Sequence, residues 1–160
     1  QEIIDQNALL HALENGQLRK YIADFPTPEL IGRPDVILMP HIGASTDEAE
    51  DNCAIMAADQ LRDFLENGNI RNSVNFPTLQ LDRVRGCRLS VANDNVPKIL
   101  GNVLSILAAE NINVIDMLNK SRDEIAYNLI DISTQPGQEV LDRMRAIDGV
   151  INVRLIGDCA

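Results

Sequence analysis

Residues 87–110 read CRLSVANDNVPKILGNVLSILAAE, and this stretch decides the fold of the C-terminal half of the chain. Over Cys87–Ala92, apolar and polar side chains alternate as they do along a half-buried strand. After a polar turn at 93–97, apolar residues recur at helical spacing across Lys98–Glu110. One helix face collects Ile99, Val103, Ile106 and Leu107. The stretch therefore predicts a strand followed by a helix.

Four further elements complete the pattern towards the C-terminus. They are strands at Ile112–Leu118 and Ile125–Ile132 joined by a polar turn at 120–124, a helix at Val140–Ile147 and a strand at Val150–Ile156. The order strand, helix, strand, strand, helix, strand predicts a ferredoxin-like α+β domain, with both helices on one face of a four-stranded sheet.

The N-terminal half carries a different pattern, that of an α/β unit with parallel strands. A first helix ends at Asn15-Gly16, and two short apolar runs, Tyr21–Ala23 and Val36–Met39, flank a loop with three prolines. Continuous apolar runs are typical of parallel strands covered on both faces. Ser45-Thr-Asp-Glu48 has the form of a capping box and predicts the start of a second helix, which ends at Asn67-Gly68.

A change of composition at 77–86 separates the two halves, because this stretch opens with proline and closes with glycine. We expect three parts: residues 1–76 as a first unit, 77–86 as a linker and 87–160 as a second domain.

Composition excludes several classes of function. The formal net charge of −10 disfavours binding to nucleic acid or to an anionic membrane. The chain has no GxGxxG or GxxxxGK[ST] motif among its nine glycines. The cysteines Cys53, Cys87 and Cys159 lack metal-ligand spacing and are expected to be thiols, so no metal is predicted.

The segment Leu38-Met-Pro-His41-Ile-Gly-Ala-Ser45-Thr resembles the catalytic-histidine segment of the D-isomer-specific 2-hydroxyacid dehydrogenases. Residues 51–56 and 66–77 are similar to the branch that oxidises D-3-phosphoglycerate. In that branch a ferredoxin-like ACT domain often follows, and residues 87–160 resemble one. The resemblance covers essentially the whole chain. It implies that residues 1–76 are the C-terminal end of a doubly wound NAD-binding and catalytic region and that residues 87–160 are an ACT-like regulatory domain.

The resemblance implies a catalytic site. His41 matches the proton-transferring histidine and Glu29 its orienting acid, with Asp24 as the fallback for the acid. The cofactor would be NAD, with its pyrophosphate site upstream of this chain, and the substrate-binding arginine would directly precede Gln1. A proteolytic cut would explain that boundary. Without those parts, the chain is expected to be inactive alone and to be a fragment of a cytoplasmic enzyme.

The resemblance also implies a regulatory site. ACT domains bind small amino acids between two copies, so an L-serine site would use Asn93, Asn95 and Asn113, with dimerisation through a sheet edge or helices. Two other possibilities stay open: the loop at 93–95 is only a turn and helix cap, or the chain is chiefly an amino-acid-binding module. A 2-hydroxyacid dehydrogenase of other substrate is a further alternative.

Overall fold

The computed structural model describes residues 3–84 and 86–157. Contacts between Cα atoms divide the chain into two compact units, residues 1–52 and 53–160. The division falls inside one long helix.

The first unit is a small α/β assembly. Helix α1 (Gln6–Glu14) begins where the Asp5 carboxylate accepts the backbone N–H groups of Asn7 and Ala8. Strands β1 (Tyr21–Ala23) and β2 (Val36–Leu38) pair in parallel, and a 3-10 turn lies between them at Pro28–Leu30. The core consists of Leu9, Leu13 and Leu30, with Leu10, Tyr21 and Val36 packed against them.

The parallel pair confirms the α/β pattern predicted for this half. Within the described residues β1 and β2 pair only with each other. Their side chains Ile22 and Ile37 are about half exposed. A parallel pair normally lies within a larger covered sheet, whereas the sheet of these two strands leaves apolar side chains exposed.

Helix α2 (Asp47–Asn67) begins one residue later than the capping-box prediction placed it. Thr46, not Ser45, is the capping residue, because its hydroxyl accepts the N–H of Ala49. None of the residues of α2 is buried, although Ile55, Met56, Leu61 and Leu65 give it apolar side chains.

The second unit is the ferredoxin-like domain that the sequence predicts. Its sheet is antiparallel, in the spatial order β4-β5-β3-β6, so the first strand of the domain lies in the middle. The bounds are β3 (Cys87–Asp94), α3 (Ile99–Ala109), β4 (Val114–Arg122), β5 (Ile125–Ile132), α4 (Gln138–Arg145) and β6 (Val150–Ile156).

Several boundaries differ from the predictions by one to four residues, and turn geometry explains two of them. The turn between β4 and β5 is shorter than predicted and consists only of Asp123 and Glu124. Asp123 adopts a left-handed φ of 52°, which closes this tight turn. Lys98 also has a positive φ, 79°, so α3 starts at Ile99 and not at Lys98.

Both faces of this sheet are covered. Helices α3 and α4 pack on one face through Val103, Leu107, Leu141 and Met144. On the other face lies a second cluster, formed by Ile70, Leu79, Ala92, Tyr127 and Leu129. Leu79 is completely buried although it falls within the predicted linker. The stretch 77–81 is therefore packed, while the boundary at 77–86 as a division between family domains stays a prediction.

A buried ion pair within the sheet also binds the segment that covers the second face of the sheet. Arg88 on β3 lies opposite Asp131 on β5, and its guanidinium makes two bonds to that carboxylate, of 2.6 and 2.7 Å. The same guanidinium donates to the carbonyls of Asn67, Leu81 and Asp82. Arg88 is fully buried, and these bonds satisfy its charge.

The cysteine prediction needs one correction. Cys53 is a free, exposed cysteine, whereas Cys87 is disulfide-bonded and not a thiol. Cys159 lies outside the described residues. In the described part of the chain, no helix is both long and apolar enough to cross a bilayer.

Candidate functional site

The predicted catalytic histidine lies in the loop that follows β2, and a carboxylate is its direct partner. Nδ1 of His41 is 3.0 Å from Oδ2 of Asp24, the residue that follows β1. Since the carboxyl ends of neighbouring parallel strands meet at one edge of a sheet, the two side chains converge there. Both are more than half exposed, at 60% and 53%.

An aromatic side chain flanks the imidazole. The ring of Phe25 packs edge-on against His41, with ring centroids 5.4 Å apart and planes at 87°. The histidine loop itself is a compact turn, in which the N–H of Ser45 donates to the carbonyl of Ile42 at 2.6 Å. The ring is thus held by a carboxylate at one nitrogen and by an aromatic neighbour.

Glu29, the acid first assigned from the resemblance, lies elsewhere in the same loop region. Its pKa is lowered by a hydrogen bond from its own backbone N–H and by another from Thr27. No hydrogen bond or ion pair between Glu29 and His41 occurs among the described residues. Glu29 and Asp24 both line a concavity of about 520 Å³ against Tyr21 and Pro28. The structure therefore brings together His41 and Asp24, the fallback acid.

The pair has the layout of a proton-transfer site. When Asp24 accepts the Nδ1 proton, the neutral ring carries its lone pair on Nε2, which can then take a proton from a hydroxyl group. The carboxylate also stabilises the imidazolium that forms. A histidine with a single oriented tautomer can act as base in one direction and as acid in the other.

The residues present do not fit the pyrophosphate of a nicotinamide cofactor. Such a site needs a glycine-rich turn that leads into a helix N-terminus. The helix that follows β2 instead carries Asp47, Glu48 and Glu50 in its first turn, which would repel a phosphate.

The predicted effector residues are spread over the second unit. Asn93 is only 3% exposed and lies in β3; its side chain donates to the Asp94 carbonyl and accepts from Asn128. Asn95 donates to the carbonyl of Asp123. Asn113 is exposed and bonds Ser133 through its backbone. Asn93 is therefore a buried network residue and not a loop residue.

Asn95 and Asn113 lie at opposite ends of the sheet. Asn95 follows β3, whose last residue pairs with Ile125 at the start of β5. Asn113 precedes β4, whose first residue pairs with Ile132 at the end of β5. An eight-residue strand is about 26 Å long, so the two side chains of one chain cannot contact the same small ligand.

The chain is similar to several curated D-3-phosphoglycerate dehydrogenases. The chain is 32% identical over 166 residues to the D-3-phosphoglycerate dehydrogenase of Haemophilus influenzae. The Escherichia coli K12 enzyme is 32% identical over 167 residues, and enzyme 1 of Saccharomyces cerevisiae is 35% identical over 138. The chain matches D-3-phosphoglycerate dehydrogenases. The resemblance noted in the sequence is thereby confirmed.

The match covers only part of each of these D-3-phosphoglycerate dehydrogenases. The match to the H. influenzae enzyme covers 96% of this chain but only 40% of that enzyme. The match to the yeast enzyme covers 81% of this chain and 29% of that enzyme. The chain thus spans less than half the length of the relatives it matches. No family model matches the chain.

The solved structures to which the chain is similar include one ACT domain and one regulatory subunit. The ACT domain of GTP pyrophosphokinase from Chlorobium tepidum has a TM-score of 0.40 at 12% identity, covering 45% of this chain and 97% of that one. The regulatory subunit of aspartate kinase from Thermus thermophilus has a TM-score of 0.40 at 17% identity, covering 52% and 57%.

The sequence showed His41 through its motif but ranked Asp24 second and did not indicate Phe25. A positional signal was present for Asp24. It directly follows β1, and His41 lies three residues after β2, so both occupy the same sheet edge. Side chains placed there on parallel strands are expected to meet.

Proposed function

We propose that this chain is part of an NAD-dependent D-3-phosphoglycerate dehydrogenase of serine biosynthesis and supplies its proton-transferring histidine. The contact between His41 Nδ1 and Asp24 Oδ2, at 3.0 Å, is the observation that carries the proposal. It lies within the segment that resembles the catalytic-histidine motif, in a chain 32–35% identical to enzymes of that name.

In the proposed reaction, 3-phosphoglycerate is oxidised to 3-phosphohydroxypyruvate at its C2 carbon. Nε2 of His41 removes the proton of the C2 hydroxyl as the carbon is oxidised, and it returns that proton in the reverse direction. Asp24 holds the ring with Nδ1 protonated and stabilises the charged form. This assigns the orienting role to Asp24, with Glu29 as the second candidate.

The chain alone is proposed to have no turnover. Its sequence lacks a phosphate-binding glycine motif, and the helix after β2 begins with acidic residues. NAD would therefore bind to a part of the enzyme outside this chain, and a cytoplasmic location belongs to the same proposal. Formation of NADH from 3-phosphoglycerate by the purified 160-residue chain would contradict it.

A chimera tests the proposed activity. Replacing the matching 40% of the H. influenzae enzyme with this chain should give a protein that forms NADH from 3-phosphoglycerate. D-lactate serves as the control substrate for a dehydrogenase of other specificity. A folded chimera that binds NAD but oxidises only the control would favour the alternative 2-hydroxyacid dehydrogenase.

The same chimera separates the two carboxylates. Asp24→Asn should lower kcat by at least about tenfold, because the orienting acceptor for Nδ1–H is lost. Glu29→Gln is the matched control and should leave kcat within about twofold. The reverse order of effects would return the acid role to Glu29.

A second proposed function is amino-acid sensing by the ferredoxin-like unit. Asn95 and Asn113 lie at opposite sheet ends, so a site containing both requires two copies. Strand β4 is an edge strand that starts beside Asn113. Antiparallel pairing of two β4 strands would bring Asn113 of one copy to the sheet end that carries Asn95 of the other. This supports an L-serine site formed by a homodimer.

Calorimetry with L-serine on the 160-residue chain tests this second function, with D-serine as the control ligand. Asn113→Ala should weaken L-serine binding by about tenfold, whereas Asn102→Ala, an exposed residue of α3, should not. Absence of saturable heat with L-serine, at concentrations where the chain is dimeric, would leave the unit with a purely structural role.

A further inference from the structure

A cavity of about 410 Å³ opens on the face of the sheet opposite α3 and α4. Its volume falls within the range of pockets that bind small ligands. The floor is formed by sheet residues that include Ala92 and Tyr127, and the walls come from Phe64 on α2 and from Ile70 and Phe76 in the segment that follows. Its lining residues include neither His41 nor any of the proposed effector residues.

The charge of the lining is unusual for this chain. Acidic residues number 24 against 14 basic ones in the whole sequence, yet no Asp or Glu lines the cavity. Two arginines do, Arg71 and Arg154. A largely apolar cavity with cationic groups and no anionic one is complementary to an apolar molecule with a single negative charge.

The two arginines differ in their availability. Arg71 is paired with Asp63 at 2.9 Å. Arg154 has no carboxylate partner among the described residues; its guanidinium lies 4.7 Å from the centroid of the Phe64 ring and donates once, to the Leu65 carbonyl at 3.2 Å. A guanidinium has five N–H donors, so most of its bonding capacity is left for a ligand.

The charge of Arg154 acts on Tyr127, which forms part of the cavity floor. Burial raises the pKa of the Tyr127 phenol, while a hydrogen bond with Ser90 and the charges of Arg154 and Arg88 act in the opposite direction. The Tyr127 hydroxyl itself donates to the Gly68 carbonyl at 2.8 Å, which leaves the ring as an apolar surface at the floor.

We propose that this cavity binds a small monocarboxylate with an apolar body, whose carboxylate pairs with Arg154 and whose hydrocarbon part packs among Phe64, Ile70, Phe76 and Tyr127. Arg–carboxylate pairing supplies orientation, and burial of the hydrocarbon supplies the main driving force. The ligand class is distinct from serine, which has no apolar body.

Three probes of equal chain length separate charge from hydrophobicity. Octanoate, octanol and octylammonium are each titrated into the 160-residue chain by calorimetry. Octanoate should bind one per chain with a Kd below about 1 mM, octanol at least about fivefold more weakly and octylammonium more weakly still. In NMR spectra, octanoate methylene protons should show NOEs to the rings of Phe64, Phe76 and Tyr127.

Matched variants locate the charge. Arg154→Gln should weaken octanoate binding by about tenfold and leave octanol unchanged, and Arg154→Lys should restore part of the loss. Arg19→Gln, which removes an exposed arginine of the first unit, is the charge-matched control and should have no effect. Ala92→Phe should fill the cavity and abolish binding of both octanoate and octanol.

Several results would overturn the proposal. They are no saturable octanoate binding up to about ten times the expected Kd, octylammonium binding as tightly as octanoate, or equal effects of Arg154→Gln and Arg19→Gln. NOEs from octanoate to residues outside the cavity would also do so. The NOE measurement uses the unaltered chain, so it decides the matter even if Ala92→Phe does not fold.

Discussion

At the scale of single residues, the decisive feature is the carboxylate that orients the His41 ring. The sequence motif identified the histidine because proline, glycine and a helix start surround it in a recognisable order. The motif ranked Glu29 above Asp24 as the partner acid. The path of the loop between β1 and β2 decides which carboxylate reaches the ring, and the motif does not report that path. The structure places Asp24 there, at 3.0 Å.

The tautomer of His41 gives a first prediction. With Asp24 as acceptor, neutral His41 should carry its proton on Nδ1, whereas free imidazoles favour Nε2. Nitrogen-15 shifts of the ring, measured at high pH, should show this, and Asp24→Asn should shift the population towards Nε2–H. Glu29→Gln should leave it unchanged. A neutral ring protonated chiefly on Nε2 in the unaltered chain would contradict the pairing.

A second residue-scale prediction concerns alkaline pH. Burial raises the pKa of Tyr127, so the folded state favours the neutral phenol. That stabilisation is complete below the unfolded pKa, about 10, and is lost as pH rises through the folded value. The free energy of unfolding should therefore fall above about pH 10, and Tyr127→Phe should reduce this fall.

Denaturant titrations at several pH values measure the effect, with Tyr21→Phe as the control that keeps the alkaline loss. Tyr127→Phe should also cost roughly 0.5–1.5 kcal/mol at neutral pH through the lost bond to the Gly68 carbonyl. An unchanged alkaline profile in Tyr127→Phe would show that another group causes the loss.

At the scale of elements, periodicity predicted nearly every strand and helix, and β6 matches its predicted bounds. The misses are at turns and caps. Thr46 caps α2 in place of Ser45, and the positive φ of Lys98 delays α3. These positions depend on backbone geometry that side-chain patterns do not report. The pairing of Arg88 with Asp131 was also missed, because it depends on the register of β3 with β5.

That buried pair gives the element-scale prediction. Asp131→Asn should destabilise the second unit by about 3–5 kcal/mol, because it leaves the fully buried guanidinium of Arg88 uncompensated. The matched control is Glu110→Gln, which breaks the half-exposed pair with Arg143 and should cost at most about 1 kcal/mol. Denaturant unfolding measures both, and similar costs for the two variants would contradict the account.

At the scale of the whole molecule, the structure has two compact units, residues 1–52 and 53–160, whereas the sequence placed its boundary at 77–86. The ferredoxin-like architecture could be predicted because six short elements follow one another in a fixed order. The covering of its second sheet face by residues 64–81 could not, because Leu79 and Tyr127 are far apart in sequence and only the tertiary fold shows their contact.

The sheet edges give a prediction about assembly. If two copies pair through β4, Ile115→Lys should weaken dimerisation strongly, because Ile115 is an exposed apolar side chain on that edge strand. Ile151→Lys places the same charge on the opposite edge strand, β6, and is the matched control. Sedimentation velocity over a range of concentrations measures both. A larger effect of Ile151→Lys would assign the interface to β6.

The most direct test of the central claim is the rate of NADH formation from 3-phosphoglycerate by the chimera with the H. influenzae enzyme, compared between His41→Asn and His11→Asn. His11 is the only other histidine and is exposed on α1. The account predicts that His41→Asn lowers kcat by roughly 10²–10⁴-fold while His11→Asn leaves it within about twofold. Equal rates for the two folded variants would contradict it.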